Sequence, residues 1–124
     1  MKILVTGAAG YIGSVVTEQL VDHGYDVVAL DNLRYGHRAA VDPRAQFIKA
    51  DLFDGLSVRR LLVDHPVDAV IHLAAEALIE ESMRDPGRFF LCNVSGGLNL
   101  LEAMATAGIR KMIFSSTAAV YGEP

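Results

Sequence analysis

The sequence predicts an α/β fold, in which a doubly wound parallel sheet of about five strands carries helices on both faces. Short apolar runs typical of buried strands alternate with longer segments of helical periodicity. Hydrophobic residues make up 52% of the 124 residues, a share that suits strands covered on both faces. Alternating elements imply right-handed crossovers between parallel strands, and we expect the strand order 3-2-1-4-5. The length suffices for one domain.

Five apolar segments with turn residues at their ends predict the strands. They lie near residues 2–6, 26–30, 46–49, 67–71 and 110–115. The common sheet of this class has six strands in two halves. We therefore expect residues 1–124 to form an incomplete domain, truncated after the fifth strand.

Four segments predict helices. They lie near residues 11–23, 55–64, 76–84 and 87–107. Gly24 and Gly108 follow helical patterns as C-caps would. Pro66 ends the helical pattern before it, and Pro86 suits the first turn of the last helix. The segment 32–45, which contains glycine, aspartate and proline, predicts an irregular loop.

The most informative local pattern is a strand that runs into three evenly spaced glycines. Gly7, Gly10 and Gly13 form G-x-x-G-x-x-G, a close variant of the dinucleotide-binding fingerprint. Gly7 permits a sharp turn, Gly10 leaves room for a pyrophosphate, and Gly13 permits close packing of the following helix. The positive end of that helix then faces the phosphates. A tight strand-to-helix turn without a ligand is the alternative.

Asp31 ends the second predicted strand, 18 residues after Gly13. This spacing suits a carboxylate that accepts hydrogen bonds from the adenosine ribose and repels a 2′-phosphate, which favours NAD over NADP. Arg34 and Arg38 could weaken that preference, but solvated loop arginines are the simpler interpretation. Asp51 follows the third strand, where a helix N-cap or turn residue is an open alternative to a ligand contact.

Small and polar residues end the fourth and fifth predicted strands. Leu73-Ala74-Ala75 would let a flat ligand lie against the strand end, where open α/β sheets bind ligands. His72, directly before them, is more typical of a structural histidine than of an acid or base. The hydroxyls of residues 115–117 could hydrogen-bond a substrate alcohol or a nicotinamide. A Ser/Thr-rich turn is the alternative.

Composition excludes several classes of partner. The net charge is −4 with no basic cluster, so we expect no nucleic acid partner. No apolar run approaches a membrane helix, and the N-terminus lacks a signal-peptide pattern. The single cysteine, Cys92, suits a buried structural thiol, and no histidine pair has metal-ligand spacing. We expect a cytoplasmic protein without a metal site.

Together these motifs resemble one family. The matching stretches are TGAAGYIGS from Thr6, Asp31-Asn32-Leu33, Asp51-Leu52, His72 to Ala75, Glu81-Ser82, Asn93-Val94 and Ser115 to Gly122. In this order they resemble the extended short-chain dehydrogenase/reductases, and among these the bacterial UDP-glucose 4-epimerases most. The resemblance covers the whole chain, and the combination is more specific than any single motif.

The resemblance implies a Rossmann-type domain that binds NAD. The pyrophosphate, adenosine ribose and adenine would contact Gly7, Gly10, Tyr11, Ile12, Gly13, Asp31, Asn32, Asp51 and Leu52. The rest of the cofactor would contact Leu73, Ala74, Ala75, Asn93 and Ser115. Thr117 falls where the family has its catalytic Ser or Thr, which hydrogen-bonds the sugar 4-hydroxyl. The implied reaction interconverts UDP-glucose and UDP-galactose through a 4-keto intermediate, in a homodimer when the enzyme is complete.

This sequence departs from the family pattern in two ways. Ala77 stands where many of these epimerases have a lysine that contacts the cofactor. The family base is a Tyr-x-x-x-Lys pair, and no tyrosine of this chain has a lysine four residues later. We therefore expect an inactive fragment without its C-terminal substrate domain. A 4,6-dehydratase or decarboxylase of the same superfamily is an alternative, although Ala118 and Ala119 lack the carboxylate expected there. A non-catalytic NAD sensor is another.

Overall fold

A computed structural model describes residues 1–123, and its centre is a five-stranded sheet. The strands are β1 (Lys2–Thr6), β2 (Asp26–Asp31), β3 (Gln46–Lys49), β4 (Ala69–His72) and β5 (Met112–Phe114). Their order is β3-β2-β1-β4-β5, and every neighbouring pair is parallel. The predicted fold class and strand order are confirmed.

The register brings three strand ends level at one edge of the sheet. Thr6, the last residue of β1, lies beside Leu30 of β2 and His72 of β4. The chain therefore leaves β1, β2 and β4 at the same edge, where Gly7, Asp31 and the segment after His72 come together. This edge is the place at which open parallel sheets bind ligands.

In the described part of the chain, five α-helices connect or flank the strands. They are α1 (Tyr11–Asp22), α2 (Gly55–Asp64), α3 (Ile79–Arg84), α4 (Pro86–Phe90) and α5 (Gly96–Ala107). Short 3₁₀ turns cover Arg38–Ala40 and Ala118–Tyr121. Gly108 caps α5 with φ of 74°, and Pro86 is the first residue of α4, as predicted. Within residues 1–123, no helix has the length and apolar character needed to cross a membrane.

Two helices differ from the sequence prediction. The predicted helix over 87–107 is divided into α4 and α5 by a turn of π-helix, Leu91–Ser95. The predicted helix over 76–84 begins only at Ile79, because the backbone of Glu76 is bonded to the side chain of Asn93 instead of to a helical neighbour. Single π-turns often occur at functional sites, and this one carries Asn93.

The core has one cluster on each face of the sheet. Leu4 and Val28 pack with residues of α2 and α5, among them Val58 and Leu100. Their strand neighbours on the opposite face pack in the second cluster, which contains Ile3, Val5, Val27 and Ala29. Side chains alternate along a strand, so strands that are apolar at consecutive positions must be covered on both faces.

Candidate functional site

The turn between β1 and α1 accepts only glycine at two positions. Gly7 has φ of 71°, and a Cβ there would lie 2.8 Å from the backbone nitrogen of Ala74. A Cβ on Gly13 would lie 2.0 Å from the Gly7 carbonyl oxygen. At Gly10 the nearest atom would be 3.5 Å away, so packing within the chain does not require glycine there. Its missing side chain instead leaves the backbone open toward the cleft that Gly10 lines.

The N-terminus of α1 is open for an anion. Its N-cap is Gly10, which has no side chain to bond the first-turn N–H groups. The side chains of Tyr11 and Ile12 are exposed and leave these groups uncovered. The N–H groups and the positive end of the helix dipole together favour a phosphate at this position.

Asp31 is buried and held in a fixed orientation. Its Oδ2 accepts the N–H of Ala9 at 3.0 Å, and its Oδ1 accepts the N–H of Leu33 at 2.7 Å. Leu33 has φ of 61°, a conformation that a branched apolar residue adopts only when its surroundings require it. Asn32 continues the turn, because its Oδ1 accepts the N–H of Arg34 at 2.9 Å.

Asp51 is a turn residue and not the N-cap of α2. Its Oδ1 accepts the N–H of Phe53 at 3.0 Å, whereas Asp54 caps α2 by accepting the N–H of Ser57. The side chain of Asn32 reaches Asp51 Oδ2 at 3.5 Å, which links the ends of β2 and β3. The N-cap alternative for Asp51 is therefore wrong, and the residue lines the cleft.

Thr6 connects β1 to the segment after β4. Its hydroxyl oxygen lies 3.2 Å from the N atoms of both Leu73 and Ala74 and 2.7 Å from His72 Nδ1. Because the oxygen accepts both N–H groups, we assign its proton to the bond with Nδ1, which makes His72 neutral with its proton on Nε2. Burial also lowers the pKa of His72. His72 is thus a structural histidine, as its sequence context predicted.

Asn93 holds the segment after β4. Its Oδ1 accepts the N–H of Glu76 at 2.7 Å, and its Nδ2 donates to the Glu76 carbonyl at 3.0 Å. Glu76 is buried, and its carboxylate lies near Arg34 and Arg88. Arg34 is an exposed loop arginine, as the simpler interpretation predicted, and it also forms an ion pair with Glu76.

Most predicted site residues lie around one cleft at the carboxyl edge of the sheet. Those that line it are Gly7, Gly10, Asp31, Asn32, Asp51, Leu52, Leu73, Ala74 and Ala75. The predicted residues that are not among its lining are Tyr11, Ile12, Gly13, Asn93, Ser115 and Thr117. Thr117 is exposed, and its hydroxyl accepts the N–H of Ala119 at 3.1 Å as the cap of a 3₁₀ turn. Within residues 1–123, no cluster of His, Cys, Asp or Glu is arranged to hold a metal ion.

Sequence reasoning missed several residues of the site. Tyr35, Gly36, Glu76 and Cys92 also line the cleft. A Cβ on Gly36 would lie 2.6 Å from the carbonyl oxygen of Ala9, a close approach that a glycine in the loop could have suggested. Cys92 was expected to be buried but is only half-buried, and partial burial raises the pKa of its thiol, which opposes a nucleophilic role.

Comparison with known proteins finds one family. The model of the NAD dependent epimerase/dehydratase family matches residues 3–124. The UDP-glucose 4-epimerase of Lacticaseibacillus casei is 50% identical over 124 residues, which are the whole of this chain and 38% of that protein. The chain therefore spans well under half of the length of this relative.

Solved structures agree with the sequence match. The UDP-glucose 4-epimerase of Thermotoga maritima, determined with UDP-glucose, superposes with a TM-score of 0.94 at 41% identity, over 100% of this chain and 40% of that one. The UDP-glucose 4-epimerase of Thermus thermophilus, in complex with NAD, gives a TM-score of 0.91 at 43% identity. This match covers 94% of this chain and 38% of that one.

Proposed function

Because this chain belongs to the NAD dependent epimerase/dehydratase family, we propose that residues 1–124 form the NAD-binding part of a UDP-glucose 4-epimerase. The proposed enzyme interconverts UDP-glucose and UDP-galactose through a 4-keto intermediate. The observation that carries the proposal is the cleft itself. A glycine turn, an uncapped helix N-terminus and a buried aspartate meet there at one edge of the sheet.

The residues at this edge fit a dinucleotide. The glycine turn and the first turn of α1, with Gly7, Gly10, Tyr11, Ile12 and Gly13, would hold the pyrophosphate through N–H groups. Asp31 and Asn32 would accept hydrogen bonds from the hydroxyl groups of the adenosine ribose. Asp51 and Leu52 would flank the adenine. The backbone at Leu73, Ala74 and Ala75 would face the other half of the cofactor, with Ser115 at its ribose.

Bound NAD would supply the hydride acceptor, while the chain's own residues position the groups around it. The N–H groups at the start of α1 would neutralise the pyrophosphate charge. Thr6 and Asn93 would fix the cleft wall by bonding the backbone of Leu73, Ala74 and Glu76. Thr117 would hydrogen-bond the sugar 4-hydroxyl and orient its proton toward a general base.

We further propose that the base and most of the UDP-sugar pocket belong to a longer protein. The Tyr-x-x-x-Lys pair is not present in these 124 residues, and the L. casei relative is covered over only 38% of its length. A homodimer is the proposed assembly of the complete enzyme. The apolar side chains of Phe90, Val94, Leu98 and Leu101 support this, because they are exposed on one helical region.

Calorimetry with NAD and with NADP tests the cofactor assignment. NAD should bind at least about tenfold more tightly, because a carboxylate opposite an unpaired 2′-phosphate costs more than roughly 1.4 kcal/mol. The variant Asp31→Asn should reduce the ratio of NAD affinity to NADP affinity. Asp26→Asn, at the exposed start of the same strand, should not. Equal affinities for the two nucleotides in the unchanged chain would remove Asp31 from this role.

A coupled assay on UDP-galactose tests the assignment of the base. Residues 1–124 should show only background turnover, because loss of general base catalysis alone costs about 10² to 10⁴ in rate. The full-length protein is the positive control. Robust turnover by a preparation whose mass is that of residues 1–124 would refute the proposal that the base lies elsewhere.

A further inference from the structure

The loop after Asp31 carries three arginines, in the region where dinucleotide sites use an arginine to accept a 2′-phosphate. Two of them are engaged away from the cleft. Arg44 pairs with two aspartates at 2.7 Å. The guanidinium carbon of Arg38 lies 4.4 Å from the centre of the Phe47 ring. Neither is among the residues that line the cleft. This leaves Arg34, three residues after Asp31, as the cation closest in sequence to the ribose-binding position.

The side chain of Arg34 lies outside the cleft. Its Nε is 3.5 Å from Glu76 Oε1, and its guanidinium carbon is 5.2 Å from the centre of the Tyr35 ring. Arg34 lines a second, smaller pocket, whereas Tyr35 and Glu76 belong to the walls of both. The cation thus lines the smaller pocket and is not among the residues that line the cleft with Asp31.

Glu76 is the fixed partner of this pair. Its side chain is only 8% exposed, compared with 36% for Arg34. Asn93 bonds both the N–H and the carbonyl of Glu76, and Arg88 lies 3.4 Å from the same carboxylate oxygen. A buried carboxylate is costly without cationic partners, so Glu76 favours the conformation in which Arg34 faces it.

We propose that Glu76 is a specificity-determining residue, which strengthens the preference for NAD over NADP by holding Arg34 away from the ribose 2′ position. This inference rests on the proposed NAD-binding function. Discrimination then has two parts. Asp31 repels the 2′-phosphate directly, and Glu76, on a segment after a different strand, withholds the cation that would attract it. Without Glu76, Arg34 turns toward the cleft on the flexible bonds of its own side chain.

The test measures dissociation constants of NAD and NADP for a set of neutral variants. Glu76→Gln should raise the affinity for NADP relative to that for NAD about tenfold, a typical factor for a new hydrogen bond to a charged group. Glu81→Gln is the matched control. Glu81 lines the same smaller pocket but has Arg84 as its ion-pair partner, at 3.8 Å. This control should not alter the ratio.

Double variants identify the cation that is released. The gain in NADP affinity should disappear in the double variant Arg34→Gln/Glu76→Gln and persist in the double variant Arg88→Gln/Glu76→Gln. A gain that survives the loss of Arg34 would overturn the proposal, because it would reflect only the removal of a negative charge. An unchanged ratio in a Glu76→Gln protein that binds NAD would overturn it as well.

The single variant Arg34→Gln keeps the test valid if Glu76→Gln fails to fold. Arg34 is partly exposed, and its replacement should leave NADP affinity unchanged, because the proposal places it away from the phosphate in the unchanged chain. A loss of NADP affinity would show that Arg34 already reaches the phosphate and would refute the inference alone. Failure of the unchanged chain to bind NAD would refute the proposed function and this inference with it.

Discussion

Replacing Thr6 with valine should destabilise the protein far more than the same replacement at Thr17. Both side chains are fully buried, with 0% exposure. Valine has nearly the shape of threonine, so the change removes a hydroxyl and little packing. The two positions differ in hydrogen bonding. The Thr6 hydroxyl contacts His72, Leu73 and Ala74, whereas the Thr17 hydroxyl has no partner within residues 1–123.

The expected cost at Thr6 follows from the groups that lose a partner. The N–H of Leu73 retains its bond to the Thr6 carbonyl at 3.1 Å, so two groups remain, His72 Nδ1 and the N–H of Ala74. A buried polar group without a partner costs about 1–3 kcal/mol, so two such groups predict a loss of about 2–6 kcal/mol in the free energy of unfolding. Thr17→Val should be neutral or stabilise by up to about 1 kcal/mol, since it removes an unsatisfied buried hydroxyl.

Urea unfolding followed by circular dichroism measures both variants at one pH. The difference between them should be at least about 2 kcal/mol, seen as a shift of the midpoint at constant m-value. Thr6→Val should also weaken NAD binding, because Thr6 holds the backbone at Leu73 and Ala74 against the cleft. Equal stabilities of the two variants would refute the conclusion that the Thr6 hydrogen bonds hold β1 to the segment after β4.

Three further predictions concern pH and association. The lowered pKa of His72 means that the unfolded chain binds its proton first, so stability should fall as the pH drops below about 6.5. If the free energy of unfolding of a His72→Asn variant, measured with urea at several pH values, fell equally steeply with pH, this prediction would be wrong. The bonds from Arg44 lower the pKa of Asp42 from 3.8 to about 2. The stabilisation that the Asp42 carboxylate provides should therefore be present above about pH 4 and lost toward pH 2. The difference in urea midpoint between Asp42→Asn and the unchanged chain should shrink over that interval. The exposed Ile113 and Phe114 on β5, an edge of the described sheet, should make residues 1–124 self-associate, and light scattering that shows a monomer at all concentrations would refute this.

Local patterns were sufficient to predict most of the fold. Strands that are apolar at consecutive positions indicate burial on both faces, and a parallel sheet with helical crossovers follows from their alternation with helices. The glycine turn could be read from sequence because its constraint is local: Gly7 needs a positive φ and Gly13 lies against the turn itself. The roles assigned to the individual site residues stay predictions.

Contacts between distant parts of the chain could not be predicted in this way. The π-turn at Leu91–Ser95 interrupts a segment whose periodicity is helical throughout, and it carries Asn93, which bonds a backbone that lies 17 residues earlier. The cap of α2 was ambiguous for a related reason. Asp51 and Asp54 are both typical cap residues, and only the path of the chain out of β3 decides between them.

The sequence by itself determined the order of strands and helices, the glycine turn and the position of Asp31 at a strand end, because each depends on residues close together in the chain. Only the tertiary structure decided that Thr6 bonds His72, 66 residues away, and that Arg34 pairs with Glu76, a residue of the cleft wall. The partner of a polar side chain depends on strand register and on which charges are buried together. Both are properties of the packed sheet, which no local pattern encodes.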